Sequence, residues 1–286
     1  MSSYFQMGHD SENLVGEQDL SEFKGIVLSP VNRGPDDLQR HIQSFRIKGT
    51  FDIVLDPQLY FPNSQRENLR NQPYFPADFD TAELFSETWW DHTNETVAAF
   101  AQTLGVNTVT SPIFLTGHCN DDYYALTVSI SNRINDLLAG AGIQVLTTVM
   151  VNIENMVNSD EALKIASIVS QAKASGYYLV IVTDKEPRRE LSDATQLSNV
   201  MRLIKALNNT KKPTLVSHCS SDMILFKVAG ASHCATGKFF NLRRFTKSRF
   251  EEPTAEGGGQ LPYWFEHSLI SFLRQADIFR LLTTKG

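Results

Sequence analysis

Short apolar runs alternate with stretches of helical spacing along most of this chain. Residues 25–29, 51–55, 106–113, 143–151, 177–182 and 214–217 read as strands with Val, Ile or Leu in each, and the small-residue run 231–235 reads as a further short one. Such near-continuous apolar runs are expected of parallel strands covered on both faces. Between them, apolar residues recurring every three or four positions predict helices over 34–45, 93–104, 123–138, 159–174, 192–207 and 223–229. Capping residues agree with these starts. Gly34-Pro35-Asp36-Asp37 puts proline and acids in a first turn, Asn120-Asp121-Asp122 and Ser192-Asp193 offer side-chain oxygens to free N–H groups, and Ser220-Ser221-Asp222 does the same.

Regular strand–helix alternation with seven or eight strands predicts an α/β fold, a (β/α)8 barrel that is complete or irregular at its closing edge. No GxGxxG follows the first strand, which disfavours a dinucleotide-binding doubly wound sheet. Residues 1–22 are polar and aperiodic and are expected to form a flexible N-terminal arm or a lid, with 23–286 as a single barrel domain. Residues 63–90, rich in Pro, Asn, Phe and Tyr, are too long for an ordinary connection. They are expected to be an aromatic insertion after the second strand that covers part of the mouth. Near the end, 239–245 reads as a further strand-like run and 262–282 as an amphipathic helix.

Composition narrows the class. With 286 residues, 42% hydrophobic and 20% charged, the chain is long enough to bury a sizeable core. A net charge of −6 argues against a surface that holds nucleic acid mainly by counterion release, though not against a local basic patch. Three cysteines make no disulfide framework, no apolar run approaches the roughly 18 residues of a membrane span, and the N-terminal residues lack the basic and apolar regions of a signal peptide. The expectation is a cytoplasmic protein with no membrane association.

A barrel places its chemistry at the C-terminal ends of its strands, so the polar residues just after each strand are the candidates. Asp56, Glu154 and Asp184 are the expected acid–base carboxylates, with His218 and His233 as proton carriers or ligands. Lys238, Arg243 and Arg244, with Gly257 and Gly258 of the triple-glycine run, are the expected phosphate contacts near the closing strands. All three cysteines directly follow a histidine, which makes His118, His218, Cys219, His233 and Cys234 candidate ligands for zinc or another divalent metal. Against this, adjacent strand side chains point to opposite faces and the spacing matches no standard zinc signature.

A barrel with an aromatic insertion and basic closing loops raises comparison with the tRNA-guanine transglycosylases. Their Asp-Ser-Gly-Gly-Phe type motif and three-cysteine, one-histidine zinc cluster are not found, so no family is recognised by motif. The residues imply an enzyme of hydrolase, lyase or glycosyl/base-transfer type, acting on a phosphate-bearing small molecule such as a nucleotide, or on a nucleic-acid component. The alternative is a non-catalytic barrel subunit of a larger, nucleic-acid-handling assembly, contacting other subunits through 63–90 or the C-terminal helix.

Overall fold

Eight strands, all parallel, pair in chain order and close on themselves in the computed structural model, which describes residues 2–185, 187–251 and 263–284. They are β1 (Ser2–Gln6), β2 (Phe23–Val27), β3 (Asp52–Leu55), β4 (Thr108–Thr110), β5 (Gln144–Asn152), β6 (Gly176–Val182), β7 (Thr214–Ser217) and β8 (His233–Thr236). The helices are α1 (Pro35–Lys48), α2 (Glu67–Arg70), α3 (Glu87–Leu104), α4 (Asp121–Leu137), α5 (Ser159–Val169), α6 (Ala194–Asn209), α7 (Met223–Val228) and α8 (Gln275–Thr283). The chain therefore forms the (β/α)8 barrel that its alternation predicts. Every residue of β6 is buried, as a strand with barrel interior on one side and helices on the other requires.

Closure depends on a strand that periodicity does not reveal. Ser2–Gln6, expected within a loose arm, is β1, paired with β2 on one side and with β8 on the other. Its five residues carry serine and glutamine at the ends, too short and too polar for an apolar run to stand out. Every later strand is consequently one place further along, and the aromatic insertion follows β3. That insertion packs on its own barrel: Leu69, Tyr74, Phe75 and Trp90 are buried, and the Tyr74 hydroxyl donates to the Pro57 carbonyl at 2.8 Å.

Two other expectations are corrected after β8. Residues 239–245 form no strand, because Leu242 and Phe245 are buried at a spacing of three, and the chain turns there as a short 3-10 helix, Phe240–Leu242. The expected helix over 262–282 is instead the antiparallel hairpin β9 (Tyr263–Glu266) and β10 (Ser271–Arg274) followed by α8. Aromatic, strand-favouring residues fill both arms, and Ile270 takes the left-handed φ of 47° that reverses the chain.

Side-chain alternation sorts the barrel into an inner and an outer face. Tyr4, Asp52, Val54, Thr108, Leu146, Leu215 and His233 line a pocket at the N-terminal end, so they point inward. Residues two further along the same strands, Gln6, Asp56, Thr110 and Ser217, therefore point inward at the C-terminal end. Gly25 lets β1 and β3 approach β2 closely: a Cβ there would sit 2.3 Å from the Asp52 carbonyl oxygen and 2.5 Å from the Tyr4 ring. Neither neighbour is a flexible tail. Gly25→Ala is expected to cost about 1–3 kcal/mol and to lower the melting temperature by about 5 °C in a calorimetric scan. An unchanged melting temperature would refute this packing.

Candidate functional site

Asp56 follows β3 and is 1% exposed. Both of its carboxylate oxygens accept from the Tyr60 hydroxyl at 2.9 Å, Oδ1 also accepts from the Gln58 backbone N–H at 3.0 Å, and Oδ2 from the Tyr178 hydroxyl at 3.2 Å. The turn that folds Gln58 back onto Asp56 puts Gln58 at φ 56°, a strained value for a residue with a side chain. Gln58 Oε1 in turn accepts from the Val31 N–H at 2.9 Å, tying the loops after β2 and β3 together. Burial raises the Asp56 pKa to about 6, with the hydrogen bonds and the Arg249 charge pulling the other way. The same burial and the carboxylate push Tyr60 and Tyr178 well above the usual phenol range, so both stay protonated donors.

Arg249 supplies the positive charge. Its guanidinium donates to Ser29 Oγ at 2.6 Å, to the Met7 carbonyl at 3.4 Å and to His218 Nε2 at 3.3 Å. Because arginine only donates, His218 Nε2 must accept, which leaves the proton on Nδ1, 3.1 Å from Ser217 Oγ. Burial and the neighbouring guanidinium hold His218 well below its ordinary pKa. It is a neutral imidazole. Desolvation lowers Arg249 to about 10, still a cation at neutral pH. Phe245 and Phe250 roof the group, stacked on each other at 5.7 Å and each meeting the Tyr60 ring edge-on.

A pocket of ≈360 Å³ shares Arg249 with this group and is lined by Gly8, His9, Asn32, Arg66, Phe239, Asn241, Leu242, Ser248, Arg249 and Glu251. These residues come from the loops after β1, β2, β3 and β8, the C-terminal rim. Arg66 makes no side-chain hydrogen bond or ion pair among the described residues, so two guanidinium groups share one concavity with amide and hydroxyl donors. Arg249 belongs both to the pocket wall and to the buried Asp56–His218 group.

Of the expected site residues, the structure brings Asp56 and His218 together. Glu154 is at the same rim after β5, where Oε1 accepts from Thr183 Oγ1 at 2.7 Å. Asp184 is exposed and paired with Lys247 at 3.0 Å, so it faces solvent. His233 opens β8 instead of following it, and lies at the opposite, N-terminal end with Tyr4 and Ser2.

The expected phosphate contacts are committed elsewhere. Arg244 is 2% exposed and pairs with Asp222 at 2.5 Å, and Arg243 donates to the Gly237 carbonyl at 2.8 Å while lying over the Phe240 and Phe272 rings. Lys238 is exposed over the Phe239 ring and does not line the pocket. Gly257 and Gly258 lie outside the described residues. Arg66 and Arg249 are the guanidinium groups that line the rim pocket instead; the only sequence signal for Arg249 is its place among the basic residues 243–249, and Arg66 gives none.

A shared metal centre among the candidate ligands is likewise corrected. His118 is exposed, the His218 Nε2 lone pair faces a guanidinium, His233 is at the far end, and the Cys219 and Cys234 thiols are buried against backbone carbonyls and each other. No three His, Cys, Asp or Glu side chains converge to hold a metal ion among the described residues. Nor is any helix there long and apolar enough to cross a membrane.

No protein-family model and no curated protein matches the chain. Solved structures with similar folds include the tryptophan synthase a2b2 complex from Pyrococcus furiosus, 13% identical over 83% of this chain and 86% of that one, with a TM-score of 0.43. Phosphoenolpyruvate phosphomutase from Streptomyces platensis subsp. rosaceus is 13% identical over 83% and 76%, TM-score 0.49. Thiamine phosphate pyrophosphorylase from Pyrococcus furiosus is 10% identical over 82% and 85%, TM-score 0.42. Likeness at this level carries no argument about chemistry, and the barrel assignment stands on the strand pairing itself.

Proposed function

We propose that this chain is a barrel enzyme for a phosphate-bearing substrate, which holds the phosphate between Arg66 and Arg249 and uses Asp56 as its acid–base group. One observation carries the reading: Arg249 lines the rim pocket and is also the counter-charge of a buried carboxyl whose pKa lies near neutrality. Paired guanidinium groups suit the flat oxygen edges of a phosphate, and Asn32, Asn241 and Ser248 add neutral donors. The carboxylate of Glu251, also in the lining, favours an ester with a donor group beside the phosphate over a bare anion. A carboxyl near pH 6 is mostly ionised at pH 7 and can take a proton and return it, the property general acid–base catalysis needs. His218, held neutral, serves here to orient Arg249.

Isothermal titration with inorganic phosphate and ribose 5-phosphate tests the pocket. Both should bind the wild type, and Arg66→Ala should weaken binding by about tenfold, the loss of one charge-assisted contact. Equal affinity in the variant, or no binding to the wild type, would refute the site.

The C-terminal surface supports a second reading, a barrel acting as a subunit of an assembly. Trp264, Leu269, Phe279 and Leu282 are each more than half exposed, and α8 buries none of its residues among those described. Under that reading, light scattering would detect a stable complex with another protein, and Arg66→Ala and Asp56→Asn would leave its behaviour unchanged.

A further inference from the structure

Buried polar atoms with no hydrogen-bond partner are not spread evenly through the barrel. Of nine such side-chain atoms among the described residues, five lie at the C-terminal ends of the strands: both amide atoms of Gln6, Gln58 Nε2, Thr110 Oγ1 and Glu154 Oε2. Buried polar groups are ordinarily paired, and one left unpaired costs the fold free energy. Gln6 is the extreme case, a wholly buried carboxamide with neither its donor nor its acceptor engaged. It ends β1 on the inner face, the same layer as Asp56 and Thr110, and is two residues, roughly 7 Å, from Gly8 in the wall of the rim pocket.

We infer that Gln6 reads the substrate, pairing its carboxamide with a planar donor–acceptor edge, a lactam or carboxamide, on the part of the ligand that reaches inside the barrel. The inference rests on the phosphate reading and extends it: the ligand is a phosphate ester whose other end carries such an edge, as a nucleobase does. The unpaired atoms form a mixed set, with donors on Gln6 and Gln58, acceptors on Gln6 and Glu154, and a hydroxyl on Thr110. Gln6 alone leaves one donor and one acceptor, so a purely anionic or purely cationic group would leave one of the two unmet. Gly8, Leu242 and Arg249 line the rim pocket, and the last two belong to short 3-10 turns after β8. A ligand that reaches Gln6 from this pocket displaces side chains that are themselves buried, Leu242 at 1% and Arg249 at 7% exposure.

The test is titration of wild type and Gln6→Met with ribose 5-phosphate, inosine and uridine 5′-monophosphates, and their N-methylated lactams, alongside thermal melts of both proteins. The wild type should bind the lactam nucleotides at least about tenfold tighter than ribose 5-phosphate or the methylated forms, the discrimination of one bidentate pair. Gln6→Met should erase that preference, keep ribose 5-phosphate affinity within about twofold, and melt about 2 °C higher, because it removes an unpaired polar group at similar volume. Equal binding of all probes by the wild type, a preference that survives Gln6→Met, or a variant that melts lower because a buried water was held there would each overturn the inference. If ribose 5-phosphate and inorganic phosphate do not bind, the phosphate reading fails separately. Free hypoxanthine and uracil then decide: binding lost in Gln6→Met sustains the role of Gln6, and equal or absent binding ends it.

Discussion

Arg244→Ala is expected to lower the melting temperature at pH 7 by about 10 °C, one of the two largest effects anticipated for a single substitution in this chain. Arg244 and Asp222 have side chains only 2% and 3% exposed, joined at 2.5 Å. Glu190 approaches the same guanidinium at 3.5 Å and accepts from Ser220 Oγ at 2.9 Å, while Asp222 accepts from the Ser220 N–H at 2.8 Å. The network joins the loop after β6, the start of α7 and the segment that roofs Asp56. Removing the arginine leaves a carboxylate buried without its cation, which costs about 3–5 kcal/mol, and each kcal/mol moves the melting temperature of a domain this large by about 2–4 °C. Burial already raises the Asp222 pKa, against the pull of Arg244 and the Ser220 N–H. In the variant the arginine's share of that pull is gone, so Asp222 protonates more readily and the deficit should shrink at pH 4.5. Arg244→Met combined with Asp222→Leu should recover most of the loss, since neither charge then remains. Melts at both pH values check this, and a deficit that is small or unchanged with pH would refute it.

Which charged residues reach the site could be read from the sequence only where burial follows from the strand pattern. Asp56 was legible because it directly follows the apolar run 51–55, so the turn after an inward-facing strand had to place it at the rim. The run 231–235 places His233 in mid-strand, whereas β8 runs from His233 to Thr236 and the imidazole lies at its start, the N-terminal end. Asp184 satisfied the same rule as Asp56, but its loop turns outward and no partner draws it in. Within residues 243–249 the sequence shows four basic side chains of equal standing. Packing assigns them different fates: Arg243 lies over aromatic rings, Arg244 joins Asp222, Lys247 reaches the exposed Asp184, and Arg249 meets His218 and Ser29. No local pattern distinguishes them, because each partner comes from a remote loop. β1 escaped for a related reason, since its role is set by two neighbours more than 15 residues away along the chain, not by its own five side chains.

The protonation of Asp56 gives the other large effect, and its sign is opposite to that of an ordinary surface carboxylate. Its folded pKa of about 6 lies above the unfolded value near 3.8, so the fold favours the protonated form. The contribution of Asp56 to stability is therefore fully present below about pH 3.8 and lost as the pH rises through 6. Two pKa units correspond to about 3 kcal/mol. Urea titrations of wild type and Asp56→Asn across pH 4 to 8 should thus diverge in slope. Relative to wild type, the variant gains about 3 kcal/mol between the two ends, whatever its absolute stability, because asparagine does not titrate. Under the proposed acid–base role the same ionisation runs the other way. The carboxylate is the form that takes a proton, so kcat/KM for a phosphorylated substrate should rise through about pH 6 to a plateau. Asp56→Asn should lower that plateau by about 10²–10⁴-fold and abolish the acidic limb. Parallel stability curves would remove the raised pKa, and a variant retaining both its rate and its pH profile would remove Asp56 from the chemistry.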